Sequence, residues 1–95
     1  MKVYLKSVAD EGDCLPGEAV LTVTDYLGEK HPGLFNREFV KNRMLQVSVW
    51  NWIKCSEKDS KDIVEVVLQG GEFVNRGNIL RVYRRQLEFV KEKIK

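Results

Sequence analysis

At ninety-five residues the chain is long enough for one domain with a modest core, 1–95, and too short for a two-lobed enzyme with a cleft between its lobes. Hydrophobic content of 43% beside 32% charged residues argues against a disordered chain, and no apolar run reaches membrane-spanning length. The net charge of +2 is unevenly placed: Asn78 to Lys95 holds Arg81, Arg84, Arg85, Lys91, Lys93 and Lys95 against Glu88 and Glu92, so the positive charge gathers at the C-terminal end.

The first residues, MKVYLKSVADEGD, are broken by Lys2 and Lys6 and turn acidic by Asp10. They lack the apolar block of a secretion signal, and the expected location is intracellular, in the cytoplasm. Met1 to Val8 alternates weakly and its Val and Tyr content reads as a first strand. Asp10 to Asp13 reads as a polar loop, and Leu15-Pro16-Gly17 places Pro and Gly at the central positions of a type II turn. Glu18 to Leu27 alternates Ala19, Leu21 and Val23 against Val20, Thr22, Thr24 and Tyr26, a second strand with one solvated face.

Gly28 to Gly33 reads as a loop, and Leu34 to Arg43 as one or two helical turns with Asn36 as N-cap and Phe35 and Val40 placed for a hydrophobic staple. Met44 to Cys55, MLQVSVWNWIKC, is the longest strand-like run and is expected to be central. After the polar connection Ser56 to Asp62, the aliphatic run Ile63 to Leu68, stopped by Gly70-Gly71, reads as its hairpin partner. From Ile79 onward Leu80, Tyr83, Leu87, Val90 and Ile94 follow 3,4,3,4 spacing, the pattern of a long amphipathic helix capped by Asn75 or Asn78.

These elements predict an α+β fold: a four-stranded, mainly antiparallel twisted sheet, a short helical turn before the central strand, and the C-terminal helix packed on one face. By analogy of fold, that unit resembles the one in Whirly and PUR-type single-stranded nucleic-acid binders. Cys14 and Cys55 read as reduced, partly buried thiols, because neither lies in a CxxC or Cys/His cluster. His31 sits in a turn with no evident orienting partner and is given no catalytic role. With no nucleophile motif, phosphate cradle or metal-binding His pair, the reading is of a non-enzyme without cofactor or metal. Asp10, Glu11 and Asp13, like Glu57, Asp59 and Asp62, lack calcium-loop spacing and read as solvated loops.

Two surfaces offer a contact role. Arg81, Arg84, Arg85 and Lys91 fall on the polar side of the expected helix as a stripe able to track phosphates, and Trp50 and Trp52 share a strand face on which bases can stack. Val82 and Phe89, at the margin of the helix's apolar arc, form a ridge fit for a homodimer interface. The leading functional reading is therefore a small non-enzymatic binding module acting through its C-terminal helix, on a protein partner or on itself. The second is a nucleic-acid binder using the basic face and the tryptophans. A further resemblance lies in Pro32, Phe35-Asn36 and Phe39, then LQVSVWNW, a polar loop and IVEVVL, which resembles the stretch of C2 domains where a Pro-x-x-Asn-like segment precedes a strand ending in Val-Trp-Asp. Asn51 and Ile53 stand where such domains place calcium-binding aspartates, so the resemblance implies a lipid- or protein-binding module without calcium dependence.

Overall fold

A computed structural model describes residues 2–13, 15–53, 62–68, 71–73 and 78–91, with 71–73 described by their backbone. Cys14, Cys55, Asn75, Ile94 and most of the polar connection 56–62 lie outside the described residues.

The chain forms two antiparallel sheets, and the expected α+β fold is overturned: among the described residues there is no long C-terminal helix. The large sheet takes β1 (Lys2–Leu5), β5 (Val40–Lys41), β6 (Met44–Trp52), β7 (Ile63–Leu68), β9 (Ile79–Tyr83) and β10 (Leu87–Val90) in the order β10-β1-β6-β7-β9, with β5 against β6. The small sheet takes β2 (Val8–Asp13), β3 (Glu18–Thr24) and β4 (Lys30–Asn36), with the short β8 (Gly71–Phe73) beside β4.

The region expected to be helical is a strand, a 3-10 turn at Arg84–Gln86, and a second strand. Its helical spacing arises because the three-residue turn breaks the period of two. Leu80 and Leu87 face the core from β9 and β10, whereas Tyr83 pairs with Ile63 and Val90 with Lys2 on the opposite face. The apparent stripe therefore joins residues from both sides of a sheet, while the β-branched and aromatic content of ILRVY and LEFV suits strands.

That turn also sets the shape of the sheet. Four strand spacings of ~4.8 Å would separate β9 from β10 by about 19 Å in a flat sheet. The four residue steps from Tyr83 to Leu87 reach at most ~14 Å. The large sheet is therefore curled until its edges approach, and the small sheet covers part of the concave side.

Register defines what the concave side carries: the rows Leu87-Leu5-Leu45, Phe89-Val3-Val47-Leu68, Val49-Val66-Leu80 and Trp52-Val64-Val82. From the small sheet Ala19, Leu21, Val23 and Phe35 complete one continuous core, all of them buried. A polar corner ties the two sheets: Gln86 Nε2 donates to Ser7 Oγ and to the Thr24 carbonyl, its Oε1 accepts from the Tyr83 amide, and the Lys6 amide donates to the Gln86 carbonyl.

Several local expectations stand. Gly17 has φ +81° and the Glu18 amide donates to the Leu15 carbonyl, as a type II turn requires. Asn36 caps the 3-10 turn Arg37–Phe39 by accepting the Glu38 amide at 3.0 Å. Met44–Trp52 and Ile63–Leu68 pair as an antiparallel hairpin. Other details differ. The presumed loop Asp10 to Asp13 continues β2, where Arg37 holds Asp10 at 2.5 Å and also bonds Asp13, and the stretch after Lys30 is strand despite Pro32. No helix of the described residues is long and apolar enough to cross a membrane.

Candidate binding surface

On the concave side of the large sheet, burial fails at one end. Val47 and Leu68 are buried, but Phe89 in the same row is 38% exposed, and in the last row Val64 and Val82 are buried while Trp52 is 40% exposed. The curl brings these two aromatics together across the sheet: their rings stack at 6.3 Å between centroids and 13° between planes. Close to this pair in sequence, the register of β6 against β7 shifts between Val49 and Asn51. Trp50 is the extra residue of that bulge, and bulges re-aim side chains. Its side chain is 67% exposed. Ile53 and Val90, at 42% and 39%, add apolar surface next to the tryptophan and the phenylalanine in sequence.

The basic residues do not form one stripe. Arg81 lies on the convex face of β9, its Nε donating to Glu65 Oε2 at 3.2 Å. Arg84 and Arg85 sit in the 3-10 turn: the Arg84 amide donates to the Asp62 carbonyl, and the Arg85 guanidinium lies 4.9 Å over the Tyr83 ring, which itself meets Tyr26 edge-on. Lys91 follows β10 and is exposed. Register still groups some of these with the aromatics. The Ile53 amide donates to the Ile63 carbonyl and Ile63 pairs with Tyr83, so the Arg84-Arg85 turn and the Trp52-Ile53 end of β6 share one end of the sheet. Lys91 stands two residues beyond Phe89.

The expected interface ridge does not exist. Val82 is fully buried on β9, whereas Phe89 is half exposed on β10, so the two residues belong to different strands and environments. The homodimer expected from that ridge loses its structural basis.

The turn between β3 and β4 holds a second group, which sequence reasoning passed over by placing Asp25 in a strand and leaving His31 without a partner. Asp25, buried, accepts the amides of Leu27 and Glu29 on Oδ1, both at 2.9 Å, and meets His31 Nε2 with Oδ2 at 2.8 Å. Burial penalises its charge, but the hydrogen bonds from His31, Glu29 and Leu27 outweigh this and hold its carboxyl below the ordinary value. The one signal in the sequence is the spacing itself, Asp25-x-x-x-Glu29-x-His31, across a turn closed by Gly28 at φ +82°.

Fold and surface together define a small, curled chain whose described residues are mainly β, with a stacked aromatic pair left open at one end. No family model matches the chain, and no curated protein or solved structure matches it either. The likeness to C2 domains thus rests on the residues that prompted it, and the analogy with Whirly and PUR-type units falls with the helix.

Proposed function

We propose that the chain is a non-enzymatic binding module that takes single-stranded nucleic acid across the Trp52-Phe89 stack, with Trp50 as a further stacking surface. The observation that carries the reading is the parallel aromatic pair, held by two strands of one sheet, with each residue still about two-fifths exposed. Every base has a π-face, and stacking on an aromatic side chain contributes ~1–3 kcal/mol per base without sequence preference. Lys91, exposed two residues beyond Phe89, and Arg85, exposed in the turn before β10, supply positive charge for the phosphates.

Titration of intrinsic tryptophan fluorescence with oligo-dT and oligo-U at ~50 mM salt tests this. Binding should quench the signal, weaken steeply with added salt, and fall roughly 5- to 150-fold in Trp52→Ala. Trp50→Ala, at an exposed position, should weaken binding while leaving the fold unchanged. No quenching at low salt, or affinity unmoved by both substitutions, overturns the reading. The exposed Ile53 and Val90 favour one second reading, a protein partner docked on the same end; such a complex would be far less sensitive to salt.

A further inference from the structure

We propose that the turn between β3 and β4 is a binding site for a divalent transition-metal ion of the zinc class, with Asp25, Glu29 and His31 as its protein ligands. The site is independent of the aromatic end. One carboxylate oxygen from each acid and an imidazole nitrogen lie within 4.8 Å of one another. The donor set is mixed: one imidazole with two carboxylates suits a borderline ion with N and O ligands better than calcium, which takes six or more oxygens.

The geometry of the first two ligands is already near that of a coordination shell. Two donors each ~2.0–2.2 Å from a metal, subtending roughly 90–110°, stand ~2.9–3.5 Å apart. Asp25 Oδ2 and His31 Nε2 are 2.8 Å apart. A metal ion would take the place of the proton between them. Asp25 is oriented for this by its other oxygen, which the Leu27 and Glu29 amides hold, the kind of outer contact that fixes a ligating carboxylate. Glu29 is exposed, so its side chain is free to swing the remaining distance.

The surroundings leave room for more ligands. A pocket of about 320 Å³ opens on Asp25 and Glu29, walled by Tyr26, Leu27, Ile79 and the Arg81-Glu65 pair. Two of the three ligands, Asp25 and Glu29, border this pocket, which gives space on their side for water or a small anionic ligand.

The test uses the full chain, freed of metal by chelation and titrated with zinc chloride in a calorimeter, with cobalt(II) visible absorption as a second probe. One equivalent should bind. His31 is the sole histidine, so its imidazole nitrogen resonances report without ambiguity, and Nε2 should shift on zinc addition. His31→Gln should abolish binding, and Glu29→Gln, at an exposed position, should weaken it at least 10-fold with the circular dichroism unchanged. Replacing both cysteines with serine should leave the affinity as it was. Absent binding, an unshifted Nε2, wild-type affinity in Glu29→Gln, or binding lost with the cysteines each overturns the proposal.

Discussion

Asp25 does three structural jobs with one carboxylate, which is why it is buried despite its charge. Each oxygen has a donor, so the desolvation cost is offset by two amide bonds and the His31 contact. Removing it with Asp25→Ala leaves those donors without their acceptor inside the fold and should cost roughly 2–4 kcal/mol in urea unfolding. The same carboxylate fixes the sign of one pH effect. Its carboxyl is held below the ordinary value, so its contribution is fully present above the unfolded value of ~3.9 and is lost as pH falls through the lower folded value. Asp10, held down by Arg37 and by the Gly12 amide, adds an effect of the same sign at the surface. Unfolding midpoints should therefore hold level from neutral pH to about 4 and drop below it. Asp25→Asn should flatten that drop; an equal drop in the variant would show that other groups set the acid limit.

The turn from β5 to β6 is the element where sequence and backbone disagree most. Lys41 pairs with Met44 across the two residues Asn42 and Arg43, with φ of +51° and +61°, the conformation of a type I′ hairpin. Asn is at home in the left-handed region, whereas an arginine there carries a steric cost that glycine does not. Arg43→Gly should raise stability by roughly 0.5–1 kcal/mol, and a loss on equilibrium unfolding would mean that the arginine side chain contributes more than its backbone costs. This element also shows what the chain declares in advance and what it conceals. Met44 to Trp52 and Glu18 to Thr24 are legible because their apolar residues alternate, Ile63 to Leu68 because a short β-branched aliphatic run stops at Gly70-Gly71, and Pro16-Gly17 because its chemistry admits few turns. The C-terminal strands are concealed because a three-residue turn shifts their alternation into a helix-like rhythm. Trp50 and Trp52 were legible as aromatics of one strand, but their separate environments follow from a bulge that no local residue announces. Asp25 and His31 are six apart, so their contact depends on a turn that pairs Val23 with His31.

At the scale of the molecule, the question is whether two sheets of different size behave as one. They share a single core: Phe35 and Leu21 of the small sheet are buried in the same cluster as Leu5, Val66 and Leu80 of the large one. The polar corner at Gln86 adds a second tie, from the β9-β10 turn to the Ser7 hydroxyl and the Thr24 carbonyl. A shared core makes partial unfolding unfavourable, because releasing the small sheet would expose the concave rows of the large one. Both tryptophans lie in β6 of the large sheet, so their fluorescence reports on a region that Phe35 reaches only through the core. Phe35→Ala should therefore lower stability by about 3–5 kcal/mol and move the fluorescence midpoint and the far-ultraviolet dichroism midpoint together. The same coincidence should hold for Leu80→Ala, placed on the opposite sheet. Should Phe35→Ala leave the tryptophan transition in place while an earlier one appears in the dichroism, the small sheet unfolds on its own; the turn bearing Asp25 and His31 would then open separately from the aromatic end.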